Sequence, residues 1–134
     1  MPNNYPMLPL TLLVLACFGL PGHAAELYVI AHSDVNLKAY DLQDVFTGEK
    51  QFSGGIKLVP VDNSAARSEF LSKVLNLESK RYETLWVKKA FRDGIAIPAL
   101  KNSDTEVIAY VKTTPGAVSY VLQASDQVKT LAKF

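Results

Sequence analysis

The chain is poor in the residues on which metal and redox chemistry depend. It has one cysteine, Cys17, and two histidines, His23 and His32, among 134 residues. A disulfide framework is excluded, and so is a His-rich metal site; no metal or other cofactor is expected. Charge of one sign is scarce as well. Fourteen Lys and Arg stand against 13 Asp and Glu, a net charge of +1, so nucleic acid finds no large positive field to meet. There is no internal repeat, no low-complexity run and no block of like charges. What remains is ordinary globular composition, 49% hydrophobic and 20% charged, of a length that suits one domain.

Residues 1–24 also contain no Lys, Arg, Asp or Glu; the first charged side chain is Glu26. The mostly apolar run from Leu8 to Leu20 is too short to span a bilayer comfortably and suits the core of a signal peptide. Pro21 and Gly22 break it, and Gly22-His23-Ala24 supplies small residues where a signal peptidase reads. Cleavage before Ala25 is expected, giving a leader at 1–24 and a domain at 25–134, in the periplasm or secreted. Val14-Leu15-Ala16-Cys17 also resembles a loose lipobox, and lipidation at Cys17 would be the only route to a membrane.

Most of the chemistry gathers between Leu58 and Leu75. Leu58, Val59 and Val61 predict a short buried strand, and Asp62, Asn63 and Ser64 are turn and cap residues. From there Ala66, Phe70, Leu71, Val74 and Leu75 recur at helical spacing, which predicts a helix from about Ser64. The unpaired N–H groups of such a helix start, with the positive end of its dipole, can receive an anion. Arg67 falls in the first turn and leans back toward it. Asn63, Ser64, Ala65, Ala66 and Arg67 are thus the candidate oxyanion cradle. The same residues also read as a plain capped helix, with Asn63 or Ser64 as the cap and Arg67 lying over the core.

Elsewhere the pattern alternates strands and helices. Leu27–Ala31 reads as an opening strand, ended by His32-Ser33-Asp34. Leu37, Tyr40, Leu42, Val45 and Phe46 predict a short amphipathic helix stopped at Gly48. Gly54 and Gly55 make a turn into a strand at Lys57; following no strand and opening no helix, they lack the context of a nucleotide loop. Ser79–Phe91 carries Tyr82, Leu85, Trp86 and Ala90 on one helical face, with Trp86 read as core. Ile95–Lys101, with Pro98, reads as a loop. Ser103-Asp-Thr-Glu106 is a capping box for a helix to about Lys112. Ala117–Leu122 and Val128–Leu131 close the chain as strands. The order implies an α/β fold with a mainly parallel or mixed sheet flanked by helices in three layers.

Four pieces in order, Leu42-Gln-Asp-Val-Phe-Thr-Gly48, Val59 to Arg67, the capped helix from Ser103, and Thr114-Pro-Gly-Ala-Val-Ser-Tyr-Val121, resemble the second lobe of the periplasmic phosphate-binding proteins of ABC transporters. The likeness runs from about Leu37 to the C-terminus and also takes in shorter, single-lobe relatives. It implies one lobe of a type 2 periplasmic binding protein, a phosphate or related oxyanion as ligand, and a link to phosphate transport. The family's phosphate turn falls on Asp62-Asn63-Ser64-Ala65-Ala66, where Asp62 and Ser64 match while Asn63 and Ala65 replace Gly and Ala66 replaces Thr. The family's arginine before the turn falls on Pro60, and Arg67 could stand in for it from the other side.

Three functions compete on this basis. The first is a one-lobe exported module that binds phosphate or another oxyanion at Asn63–Arg67. The second is an envelope module that has lost the ligand and contacts a partner protein, such as a transporter. An enzyme is the least supported: Ser64 lacks a Gly-x-Ser-x-Gly elbow, and His32, the one histidine outside the leader, is the only candidate base.

Overall fold

A computed structural model describes residues 25–134; the expected leader at 1–24 and Cys17 lie outside the described residues. Seven strands and four helices follow one another. They are β1 (Tyr28–Ala31), α1 (Leu42–Phe46), β2 (Phe52–Ser53), β3 (Ile56–Lys57), β4 (Val59–Asn63), α2 (Arg67–Phe70), α3 (Ser79–Asp93), β5 (Ala99–Lys101), α4 (Asp104–Thr113), β6 (Ala117–Val121) and β7 (Lys129–Lys133). A 3-10 turn, Ala39–Asp41, leads into α1, and a π-helical turn, Leu71–Leu75, extends α2.

Five strands form one sheet in the order β5-β4-β6-β1-β7. β4 runs parallel to both β5 and β6, while β1 runs antiparallel to β6 and β7. The sheet is mixed and flanked by helices, in agreement with the α/β expectation. Period-2 alternation puts apolar side chains on both of its faces. Val29, Ala31, Val118 and Tyr120 point into a core shared with Phe46, Phe70, Tyr82 and Trp86 from α1, α2 and α3. Ile30, Ala117 and Val121 point the other way, onto Val107 and Val111 of α4. The buried Ser119 hydroxyl is satisfied by donating to the Val61 carbonyl at 2.7 Å, as a buried polar group requires.

α1 is shorter than the apolar spacing alone predicts, while α3 and α4 run to Asp93 and Thr113, slightly past their expected ends. Tyr40, placed by spacing on the buried stripe before Phe46, is 80% exposed, because a 3-10 turn precedes α1 and shifts its phase. Gly94, in the left-handed region at φ 67°, ends α3 by returning its N–H to Ala90, which glycine does without Cβ strain. The Ile95–Lys101 stretch is not all loop: Ala99–Lys101 pairs in parallel with Val61, Asp62 and Asn63. Pro98 sits just before this strand, where its missing N–H costs no ladder bond. Gly54 and Gly55, at φ 55° and 85°, join β2 to β3 as a two-residue hairpin, the geometry that positive φ at both positions permits.

Candidate functional site

The end of β4 is an unusually polar stretch of buried strand. Asp62 and Asn63 are 5% and 0% exposed, and alternation sends them to opposite faces. Asn63 faces α4. Its Nδ2 donates to Asp104 Oδ1 at 2.8 Å and to the Tyr120 carbonyl at 3.0 Å, and its Oδ1 accepts from the Ala65 N–H at 3.1 Å. Asp104 in turn accepts from the Leu122 and Gln123 N–H groups. Asn63 is therefore a tie between three elements, and its whole side chain is engaged.

The turn that follows is closed by the protein's own acceptors. Ser64 N–H bonds the Lys101 carbonyl at 2.9 Å and Ala66 N–H bonds the Asn63 carbonyl at 3.1 Å. The Ser64 hydroxyl reaches the Asn102 carbonyl at 3.3 Å. The helix starts at Arg67 rather than at Ser64, and its cap residue is Ala66, with no side-chain cap bond. Asn63 instead spends its acceptor oxygen on Ala65, an Asx-type turn that delays the helix by about one turn. Ser64 and Ala65 are exposed, Ala66 and Asn63 buried.

Asp62 faces the α3 side of the sheet and receives two phenols. Tyr120 Oη donates to its Oδ1 at 2.8 Å, and Tyr82 Oη lies 3.0 Å from both oxygens. Burial pushes the Asp62 carboxyl above the usual aspartate value, against the pull of the two phenols and of the nearby Arg67 charge. Burial first, and then the Asp62 charge, push both phenols well above the usual tyrosine value; they act as donors, not as titrating groups.

Arg67 turns toward α3. Its guanidinium lies 5.3 Å from the centre of the Tyr82 ring, a cation–π contact. Nη2 is 3.4 Å from Glu83 Oε1, and Nε is buried without a hydrogen-bond partner among the described residues. Beside it opens a cavity of about 350 Å³ whose walls include Asp62, Tyr82, Trp86, Ile97 and Leu100, with Arg67 its one cationic lining residue. The structure thus groups Asn63, Ser64, Ala65 and Ala66 into one turn, and directs the Arg67 side chain to Tyr82 and Glu83 of α3.

Tyr82, Glu83 and Tyr120 were not among the candidate site residues. A signal was present: a tyrosine inside an apolar stripe needs a partner for its hydroxyl, and a buried strand-end aspartate is such a partner. Trp86 is core as expected, 2% exposed, with its indole N–H donating to the Phe46 carbonyl at 3.0 Å.

No protein-family model matches the sequence, and no curated protein matches it. Solved structures do match. An ABC-type phosphate transport receptor from Vibrio cholerae superposes with a TM-score of 0.58 at 17% identity, over 80% of this chain and 46% of the receptor. A putative phosphate ABC transporter substrate-binding protein from Clostridium perfringens, solved with bound phosphate, gives a TM-score of 0.58 at 14% identity over 80% and 45%. The chain has the fold of a phosphate-binding-protein lobe and spans about half the length of these transport proteins.

Proposed function

We propose that this chain is an exported solute-binding-protein-like lobe that holds phosphate or a related oxyanion at the β4–α2 junction, Asn63 to Arg67, in the service of phosphate transport. The observation that carries the reading is Arg67: the one cation lining the cavity, with an Nε that has no partner. Its existing ion pair is loose, 3.4 Å to a Glu83 side chain that is 59% exposed, and pairs of that kind are worth little. Asp62 does not hold the guanidinium, because two phenols already satisfy the carboxylate. An incoming oxyanion can displace Glu83 and take the charge-assisted, bidentate bonds that arginine offers. The Arg67 N–H and the one after it, the first of α2, lie near the same junction.

Calorimetric titration of the mature domain with phosphate and sulfate tests this. Binding should weaken roughly 10- to 100-fold in Arg67→Ala and recover in part in Arg67→Lys. No heat and no thermal shift at millimolar anion, in a protein that is folded, ends the reading. That outcome selects the second one, an envelope module that contacts a partner protein. It has its own support: the N–H groups of Ser64, Ala65 and Ala66 are already bonded within the chain. Export is part of the proposal. Removal of residues 1–24 should leave a chain that begins at Ala25, read by mass spectrometry; a diacylglycerol on Cys17 would make it a lipoprotein instead.

A further inference from the structure

Three large apolar side chains stand exposed around the Arg67 cavity: Val87 at 56%, Ile97 at 54% and Leu100 at 51%. They come from separate places, α3, the loop after it and the edge strand β5, and they converge with Pro98 on one opening. Scattered singly, such residues need no explanation; gathered on a cavity mouth, they mark a site. The polar atoms of the same cavity are nearly all committed. The Tyr82 hydroxyl serves Asp62, and the Trp86 indole N–H serves the Phe46 carbonyl. Among the described lining residues, Arg67 is left as the one cationic side chain.

A bare tetrahedral oxyanion is poorly served by such a place. It would exchange a full hydration shell for one guanidinium, with apolar walls left wet and the Glu83 carboxylate nearby. An anion carried on an apolar body is served well, because burying that body against Ile97, Pro98 and Leu100 adds hydrophobic free energy to one ion pair. The volume of about 350 Å³ also lies in the range of pockets for small organic ligands.

We infer that the ligand class of the Arg67 cavity is a small organic anion, with its phosphate or carboxylate head on Arg67 and its apolar body over Ile97, Pro98 and Leu100. This rests on the reading of Arg67 as the anion contact. Trp86 is the only tryptophan and lines the cavity, so its fluorescence reports occupancy directly. Titration with inorganic phosphate, phenyl phosphate, benzoate and phenol is the experiment. Phenyl phosphate or benzoate should bind at least about tenfold more tightly than inorganic phosphate, and the stronger of the two identifies the head. The double variant Ile97→Ser, Leu100→Ser, at two exposed positions, should erase that advantage, so that phenyl phosphate and benzoate bind no more tightly than inorganic phosphate does to the same variant. Arg67→Ala should weaken binding of both anions roughly 10- to 100-fold. If phosphate binds as tightly as phenyl phosphate, the inference falls while the oxyanion reading stands. If phenol binds as well as phenyl phosphate, Arg67 is not the contact and both fall. If none of the four binds to folded protein, both fall as well.

Discussion

The Phe70 ring lies flat on the Tyr120 ring, with centroids 3.9 Å apart and planes 4° from parallel. One ring comes from the helix after β4 and the other from β6, so the stack fastens α2 to the sheet. Phe46 closes it edge-on, 4.6 Å from Phe70 and 5.8 Å from Tyr120. Phe70 is fully buried. Phe70→Ala should therefore cost about 3–5 kcal/mol, from lost transfer energy plus an unfilled cavity. Urea denaturation measures it, and a loss below about 0.5 kcal/mol is what a surface position would give.

Tyr120 has a second task at its other end, where its hydroxyl donates to Asp62 at 2.8 Å. Tyr120→Phe keeps the stack and removes only the donor. Hydrogen bonds to charged groups contribute about 1.5–3 kcal/mol, so a loss of that order is expected at neutral pH. The loss should shrink in acid, where a protonated Asp62 depends less on the phenol.

The pH dependence of stability follows from two aspartates with opposite shifts. Burial raises the Asp62 carboxyl in the fold; the folded state then holds the proton more tightly than the unfolded chain. Its contribution is present below the unfolded value and is lost as pH rises through the folded one. Asp34 is the reverse. Burial alone would raise it, but the Gly116 N–H and the His32 ring hold it below the usual value. Its contribution is present at higher pH and is lost as pH falls. Asp62→Asn should flatten the decline on the alkaline side of the ordinary aspartate value, and Asp34→Asn the decline on the acid side. Thermal melts across pH 3 to 8, roughly the range in which carboxyl groups and histidine titrate, separate the two.

The parts of this fold that sequence reveals are those set by local chemistry. Ser103 and Glu106 show it: the hydroxyl accepts the Glu106 N–H at 3.2 Å, as the capping box implied, though the Glu106 carboxylate bonds Asn102 N–H instead of the cap. Gly54, Gly55 and Gly94 also take the positive φ that their turns required. What stayed hidden was set by partners distant in sequence. β5 is three residues long and exists because β4 lies beside it. The late start of α2 depends on Asn63, whose amide is held by Asp104, 41 residues away. Arg67 was legible as a charge in the first turn of the helix, but its direction was decided by Tyr82 and Glu83 on another helix.

Gly116 illustrates a position where backbone approach leaves no choice of residue. A Cβ built there would lie 2.0 Å from the Lys57 carbonyl oxygen, and φ is 79°. Neither the strand end nor the turn can yield without breaking the start of β6, whose first residue pairs with Val59. Gly116→Ala should cost at least about 3 kcal/mol or prevent folding, as overpacking and backbone strain add. Gly94→Ala is the control: φ is 67°, but nothing lies within 4 Å of a Cβ there, so only the left-handed penalty of about 1–2 kcal/mol is expected.

Glu83 gives the sharpest test of how Arg67 is used. If the guanidinium is the anion contact, Glu83 competes with the ligand, because its Oε1 sits 3.4 Å from Nη2. Glu83→Gln removes the competing charge and keeps the shape. Anion binding should then tighten, by up to about fivefold, since an exposed pair is worth about 0.2–1 kcal/mol. The gain should be larger at low salt, where surface charges are less screened. Folding stability should hardly change, because Glu83 is mostly exposed and Tyr82 still faces the guanidinium. The two expectations differ from those of a structural salt bridge in which quantity moves, because removal of such a bridge would lower stability and leave affinity alone. Calorimetry of wild type and Glu83→Gln at two salt concentrations, beside urea melts of both, reads all of it. A variant that binds anion more weakly than wild type would show Glu83 holding Arg67 in place for the ligand rather than competing with it.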